Sequence, residues 1–531
     1  MKLQPGVTQP NLVELSTGKS SGVASQSYDQ WRTRLAVDMA LNYAARTGNI
    51  GHDIKGGYQY FRGLSDSTQD VFQGVNLNVL NGAPQTVTEY NSPVQEKEIF
   101  RGSVLHLQDN VAFGKVTLNL GVRYEHTNGL LPAQGAPGGP FSAARSFPEQ
   151  SVFTWNSVAP RIGVIFDPLP AHTVAVKAGY SRYYHAASTG FVSGPNQNNL
   201  GGSTYNWIDR NRDNRFQPGE EGSKLSSFGG SITSEDPNLK QPYTDEVSAG
   251  IELEAPGRVR VSGMFIHRQA RDLLAIIETA VPFDAGYVPV RAVDPVTNGS
   301  VTLFNERPQF VGLDAQLVTN PADFKTKFNG FEISGQRRFS NGYQFITSYA
   351  YSTSDISRTS ISVSQYGGEE EGAGGVGFGS SAFLNPNQLI NNTSGPGFYD
   401  RTHAFKLGGS YDLQRVGVTV AATGKVQTGT PYGRILTLSN DASGNAFNQG
   451  PITFFAEPRD AHRFPTLKTM DFRIAKFFIV GRQRVEAIGD FFNLFNVSTV
   501  TSVNPNSGTD FSKPTDILGP RVFRIGGRWT F

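Results

Sequence analysis

A short segment rich in acidic and amide side chains carries the pattern of oxygen ligands that a hard cation prefers. Residues 209–220 read DRNRDNRFQPGE, and they follow the spacing of the twelve-residue EF-hand calcium loop. Side-chain oxygens two residues apart can surround one Ca²⁺, a backbone carbonyl adds a ligand, and a distant glutamate closes the shell. The predicted ligands are Asp209, Asn211, Asp213, Arg215 (through its backbone carbonyl) and Glu220.

The same segment departs from a standard calcium loop in two ways. Asn214 stands where the loop normally has glycine, which is tolerable because asparagine visits the left-handed backbone region. Three arginines at positions 210, 212 and 215 could instead pair with the carboxylates, and no flanking helices are evident. Two interpretations therefore stay open: a structural Ca²⁺ site that orders a surface loop, or a solvated loop held by ion pairs.

Other chemical motifs are weak. Residues 372–377 read GAGGVG and match GxGxxG, but no strand–turn–helix surrounds them and three glutamates (369–371) precede them, so a surface loop is predicted. The eight histidines show no metal-ligand spacing, and no GxSxG or P-loop motif is present. We expect no enzyme and no certain cofactor; a catalytic triad assembled only in space is the remaining enzymatic alternative.

Composition narrows the class of protein. The chain has 531 residues, no cysteine, and a net charge of +2, so disulfides, thiolate metal sites and a basic field for nucleic acid are excluded. No run of about 18 apolar residues could form a transmembrane helix. The first twenty residues lack the apolar core of a signal peptide, which predicts either an internal protein or a native N-terminus further upstream.

The element that must position any site is the β-strand. The last stretch, 521–531, reads RVFRIGGRWTF and alternates with period two, apolar side chains on one face and Arg524 and Arg528 on the other. Residues 116–125 alternate in the same way. Strands with one apolar and one polar face suit a barrel that meets lipid outside and water inside. The lipid-facing residues of the last stretch are Phe523, Ile525, Trp529 and Phe531.

About fifteen such strands are predicted, joined alternately by short turns and long polar loops. Long connections on one side only are typical of an outer-membrane barrel, with short periplasmic turns and long extracellular loops. We therefore predict an all-β, transmembrane antiparallel β-barrel over residues 31–531, with residues 1–30 as an extracellular loop segment. The long loops are predicted at residues 64–98, 127–157, 187–241, 270–327, 355–400, 429–466 and 494–520.

The direction of the strands predicts that the barrel is incomplete. Fifteen strands alternate in direction, so if the last strand runs toward the periplasm, the first does so too. A barrel whose two ends both lie in the periplasm then needs an odd number of further strands upstream. Open sheet edges in lipid would leave backbone groups without hydrogen bonds. The chain is thus expected to be the C-terminal portion of a larger barrel.

Several segments together resemble the C-terminal barrel of TonB-dependent outer-membrane receptors, in particular the subgroup with a carboxypeptidase-regulatory-like N-terminal domain. They read QPYTDEVSAGIELE, YDRTHAFKLGGSYDL, EAIGDFFNLFN and RVFRIGGRWTF. The resemblance implies a barrel of about 22 strands, an N-terminal plug and TonB box that are absent from this stretch, and uptake of a siderophore, vitamin, glycan or peptide driven by the TonB complex. It also implies that the terminal aromatic, Phe531, is read by the barrel-assembly machinery; otherwise it is an interfacial anchor.

The most favoured function is therefore a TonB-dependent receptor or transporter of the Gram-negative outer membrane, with ligand-contacting residues unknown. A structural or adhesive surface protein and a passive porin of about sixteen strands are the alternatives. A porin requires its first and last strands to pair within this chain. The charged side chains on the polar strand faces would either contact a plug or form ladders between strands.

Overall fold

Fifteen long strands form one antiparallel sheet that follows the order of the chain. The computed structural model describes residues 9–15, 19–187, 189–229, 233–358, 382–397 and 400–531. The sheet strands are β1 (Ser27–Thr47), β2 (Ile50–Asp70), β3 (Val94–Phe113), β4 (Val116–Leu131), β5 (Gln150–Phe166), β6 (Val174–Tyr184), β7 (Tyr243–Ala255), β8 (Val259–Arg271), β9 (Thr326–Ser340), β10 (Tyr343–Ile356), β11 (His403–Leu413), β12 (Val418–Gln427), β13 (Leu467–Val480), β14 (Gln483–Phe492) and β15 (Val522–Thr530). The predicted antiparallel all-β fold is confirmed.

The apolar faces of these strands are exposed. On β1 the alternate residues from Leu35 to Tyr43 are 43–74% exposed, and the same pattern continues on β3, β4 and β5. A contiguous apolar surface of this extent marks an interaction with another apolar phase. In a barrel whose other face is charged, that phase is the hydrocarbon core of a bilayer. No described helix is long and apolar enough to cross a membrane.

Short and long connections alternate as predicted. Seven turns of two to seven residues join β1 to β2, β3 to β4 and so on, while seven connections of 18–58 residues lie at the opposite end. The turn between β9 and β10 shows how the sequence encodes these hairpins: Asn341 and Gly342 both have positive φ, 52° and 85°. An Asn-Gly pair adopts this geometry readily, and its twist matches that of the flanking strands.

Several strands extend further than their apolar alternation. β2 reaches Asp70 and β3 begins at Val94, and β4 and β5 likewise extend into the predicted 127–157 loop. Outside the membrane a strand is held by its backbone hydrogen bonds and needs no apolar face. The alternation of apolar and polar residues therefore ends before the pairing between strands does. Within the predicted loop segment 1–30, the described residues include two short strands and the start of β1 at Ser27.

The long loops contain their own secondary structure. A six-stranded sheet combines segments from two of them with the two short strands that precede β1, and smaller sheets form in the others. The loop strands are Asn11–Glu14, Lys19–Ser21, Val75–Leu80, Ala83–Tyr90, Gln134–Ala136, Arg145–Phe147, Gly202–Trp207, Glu221–Phe228, Thr233–Glu235, Ala275–Glu278, Tyr287–Val293, Ser300–Glu306, Gln316–Thr319, Ala382–Phe383, Gly395–Pro396, Pro431–Tyr432, Ile435–Leu438, Ile452–Phe455, His462–Arg463, Val500–Val503 and Pro514–Ile517. The helical turns are Phe72–Gly74, Thr189–Ser193, Phe283–Gly286, Pro386–Gln388 and Gln414–Val416.

An aromatic cluster fastens the loops to the upper end of the sheet. Trp155 on β5 stacks on Phe153 at 4.0 Å between ring centroids and meets Phe191 edge-on at 5.3 Å. The indole nitrogen of Trp155 donates a hydrogen bond to the carbonyl oxygen of Leu239 at 2.8 Å. Because Phe191 and Leu239 belong to the connection between β6 and β7, this cluster holds that long loop against the barrel mouth.

The sheet has two free edges among the described residues. β1 pairs with β2 alone, from Ser27 opposite Asp70 to Thr47 opposite Ile50. β15 pairs with β14 alone. The first and last strands are therefore not hydrogen-bonded to each other, and the described strands do not close into a barrel by themselves.

Candidate functional site

The segment 209–220 folds into a tight turn that gathers three of the predicted calcium ligands. The carboxylate of Asp209 accepts hydrogen bonds from the backbone nitrogens of Asp213 at 3.2 Å and Asn214 at 3.0 Å. The amide nitrogen of Asn211 donates to Asp213 at 3.0 Å. Asn214 has a φ of 57°, the left-handed conformation that was expected at this position.

The two other predicted ligands lie differently. Glu220 is buried, and its carboxylate accepts hydrogen bonds from the backbone nitrogens of Arg210 and Gln217, both at 3.1 Å, and from the indole of Trp207 at 3.3 Å. The backbone N–H of Arg215 donates to Asp213 and is the largest cause of the lowered pKa of that carboxyl. No group of three His, Cys, Asp or Glu side chains in the described ranges is arranged to hold a metal. Calcium binding stays a prediction.

The last strand presents its aromatic face outward at the edge of the sheet. The exposed fractions are 54% for Phe523, 78% for Ile525, 65% for Trp529 and 96% for Phe531. The ring of Phe523 lies 4.6 Å from that of Phe491 on β14, and the indole nitrogen of Trp529 donates to Gln483 at 2.9 Å. The predicted alternation is thus present, whereas its recognition by the assembly machinery stays a prediction.

The polar faces of neighbouring strands are joined by ion pairs. Asp490 on β14 contacts Arg473 on β13 at 2.5 Å and Arg524 on β15 at 2.7 Å. Further pairs on this face are Lys177–Glu252 at 2.6 Å, Arg268–Glu246 at 2.5 Å and Arg528–Glu486 at 3.6 Å. Ladders between strands, one of the two interpretations offered by the sequence, are thus present, and contact of these charges with a plug stays a prediction.

A cavity of about 620 Å³ lies on the same polar face near the long loops. Three arginines line it, Arg32 and Arg34 from β1 and Arg123 from β4, the last paired with Glu125 of the same lining, together with the rings of Phe61 and Phe100. The segment that follows β6 contributes Ala187 and Thr189. Sequence reasoning missed this cavity, although the alternation of Arg32 and Arg34 on the polar face of β1 was a readable signal.

The histidines and the GAGGVG motif singled out in the sequence are not among the residues of the sites described above. The histidines make separate contacts, such as His52 with Asp109 at 2.7 Å and His126 with Asn156 at 2.8 Å. The GAGGVG motif at 372–377 and the glutamates before it lie outside the described residues.

Comparison with known proteins agrees with this architecture. A family model described as an outer membrane beta barrel domain matches residues 39–430, well over half of the chain. The chain belongs to this family. It is accordingly a multi-pass protein of the Gram-negative outer membrane, as predicted.

A curated relative carries the resemblance to TonB-dependent receptors. The TonB-dependent transporter Oar of Myxococcus xanthus is 24% identical over 465 residues, which cover 80% of this chain and 38% of Oar. The chain thus spans well under half of the length of that relative. Because the named relative is a transporter, the comparison agrees with a function other than catalysis.

Solved structures show the same barrel fold. The outer membrane transporter YddB from Escherichia coli has a TM-score of 0.53 at 14% identity and matches 97% of this chain and 57% of its own. The ferripyoverdine receptor of Pseudomonas aeruginosa, solved with ferripyoverdine bound, has a TM-score of 0.51 at 12% identity, with 96% and 50% covered. The expectation of a TonB-dependent receptor barrel is confirmed at the level of fold.

Proposed function

We propose that this barrel domain is part of a TonB-dependent transporter that binds its ligand at the extracellular loops and admits it through a plugged lumen. The observation that carries the proposal is the sheet itself, fifteen sequential antiparallel strands with an apolar outer face, a charged inner face and all long loops at one end. The likeness to Oar and to the transporter barrels supports the same function.

The free edges of β1 and β15 support a barrel completed by further strands of the same polypeptide. Each edge would leave a row of backbone N–H and C=O groups without partners in lipid, at a cost of about several kcal/mol per group. A barrel of about 22 strands would supply both missing neighbours and enclose a plug. This proposal includes the partners of such a protein: the TonB complex, the assembly machinery and a siderophore, vitamin, glycan or peptide.

The cavity on the polar face supports the proposal because it lies on the path that a ligand would take into the lumen. Three arginines and two aromatic rings at the loop end of the polar face provide charge and apolar surface where an incoming ligand first leaves bulk water. The cavity is lined by β1 to β4 and also by Ala187 and Thr189 of the connection that follows β6, so movement of that loop would change its shape. A passive pore needs no such recess below its loops.

Two measurements on the intact protein separate transport from the alternatives. In planar lipid bilayers, a plugged transporter is expected to show almost no steady conductance until the plug is displaced by urea, whereas a porin conducts from the start. The second measurement is binding of the purified C-terminal domain of TonB, which a TonB-dependent transporter should bind. An adhesive surface protein would also show no conductance but would not bind TonB. Steady conductance or absence of TonB binding would contradict the proposal.

A further inference from the structure

A second cavity, of about 460 Å³, lies entirely within the extracellular loops and is lined by three carboxylates. Glu278 and Glu306 come from two different loop sheets, and Asp314 from the segment that follows. No lysine or arginine lines this cavity. The negative charge of the three side chains is thus not balanced by a cation within the cavity wall.

Two of the carboxylates are incompletely paired within the described residues. Glu306 is only 9% exposed, and no described donor contacts its carboxylate, while the Oδ2 atom of Asp314 is buried without a partner. Glu278, in contrast, accepts hydrogen bonds from the backbone nitrogens of Ala280 at 2.6 Å and Ala315 at 2.9 Å. A buried carboxylate without a donor costs free energy, so Glu306 and Asp314 need an explanation.

Other contacts hold Glu306 firmly in place. It lies directly opposite Tyr287 in the hairpin formed by Tyr287–Val293 and Ser300–Glu306. Gln449 fixes the strand end, since its side-chain oxygen accepts from the backbone nitrogen of Glu306 at 2.8 Å and its nitrogen donates to Phe304 at 2.7 Å. Burial, together with Asp314 and Glu278, raises the pKa of Glu306. The strand end that carries Glu306 is therefore fixed, and the charged neighbours of this carboxylate are two further carboxylates.

The shape of the site indicates an organic cation. In the described part of the chain no three acidic groups come close enough to share a metal ion, so the carboxylates surround a larger volume. An ammonium group has three donors that can reach separate acceptors, and Tyr287 is an aromatic residue of the same lining. We propose that this cavity binds a ligand through its primary ammonium group, either a small diamine or the lysine side chain of a peptide.

Isothermal titration calorimetry of the intact protein in detergent tests the proposal, with cadaverine and the blocked peptide Ac-Gly-Lys-Gly-NH₂ as probes. At least one of the two is expected to bind, and the tighter of them identifies the source of the ammonium group. The neutral analogue 1,5-pentanediol should not bind. Equal heats for the diol, or no heat for either amine, would overturn the proposal.

Variants locate the site and separate binding from folding. Glu306→Gln and Asp314→Asn should each weaken amine binding at least tenfold, whereas Asp460→Asn, on an exposed residue outside the cavity, should leave it unchanged. Without amine, Glu306→Gln should melt at or above the wild-type temperature, because it removes a charge that has no partner. Lower melting would indicate a structural carboxylate and contradict the proposal. Binding is measured without transport, so its failure leaves the proposed function untouched.

Discussion

Single charged side chains on the lumenal face connect strands that are consecutive in the sequence. Asp490 holds one arginine from each neighbouring strand, Arg473 and Arg524, and so links β13, β14 and β15 across the polar face. Partly exposed ion pairs of this kind contribute little stability each. Their effect is on register, because a shift of one residue would turn every one of these charges toward lipid.

At the same scale, Asp213→Ala tests the calcium loop. The carboxylate of Asp213 caps the turn through the backbone nitrogen of Arg215 at 2.8 Å and would be a central ligand. If the loop binds Ca²⁺, calcium should slow protease cleavage within 209–220 in the wild type, and the variant should lose that protection while Asp516→Ala retains it. If calcium does not change the cleavage rate of the wild-type protein, the calcium site is refuted.

The raised pKa of Glu89 predicts that the stability of the six-stranded loop sheet depends on pH. Burial, followed by its hydrogen bond with Glu221, raises the pKa of Glu89 from 4.5 to about 7. The folded sheet therefore keeps a proton that the unfolded segment releases, and its stability is full below the ordinary value and declines as the pH rises toward 7.

Hydrogen exchange tests whether the loop sheet is more stable at low pH than at high pH. After correction for intrinsic rates, amides of Val75–Leu80 and Ala83–Tyr90 should be better protected at pH 5 than at pH 8, and Glu89→Gln should remove most of the difference. Greater protection at the higher pH would show that the direction of the pKa shift is wrong.

At the scale of elements, the membrane strands were predictable and their outer ends were not. Side chains that face lipid and lumen in alternation mark each strand while it crosses the bilayer, as on β4, where the predicted segment 116–125 lies within Val116–Leu131. Above the membrane, β2 and β3 pair on to Gln69 opposite Val94 with no such pattern. The cavity around Glu306 was also hidden, because it combines segments far apart in the sequence.

The aromatic cluster at Trp155 predicts how the longest loop is held. Trp155 is 5% exposed, and truncation to alanine removes its ring contacts and its hydrogen bond to Leu239, at a cost of about 3–5 kcal/mol. Hydrogen exchange in 185–242 should rise sharply in Trp155→Ala and less in Trp155→Phe, which keeps most of the packing. Unchanged exchange in this loop would mean that other contacts hold it.

The exposed position of Phe531 on the outward face predicts that replacing this residue impairs assembly of the barrel. Phe531 is 96% exposed and makes the final aromatic of the outward face, so Phe531→Ser should reduce the folded, heat-modifiable form in outer membranes with little effect on the purified folded protein. Phe523→Ser is the comparison, since it alters the same face but leaves the terminal residue. Equal folded amounts for wild type and Phe531→Ser would leave the residue as an interfacial anchor only.

For the whole molecule, the decisive feature is the unpaired edge at each end of the sheet. β1 is 21 residues long, and its outer edge has no described partner. An exposed edge of that length invites pairing with another strand. The chain covers 57% of the length of YddB, and the larger closed barrel proposed above would give Ser27–Thr47 and Val522–Thr530 a second neighbour each.

Cryo-electron microscopy of the intact protein in lipid nanodiscs tests this account most directly. We predict that the free edges of β1 and β15 each pair with additional strands of the same polypeptide, and that a plug fills the lumen against the charged face containing Asp490. The account would be contradicted by a barrel in which β1 pairs directly with β15 around an open channel, since that arrangement belongs to a porin.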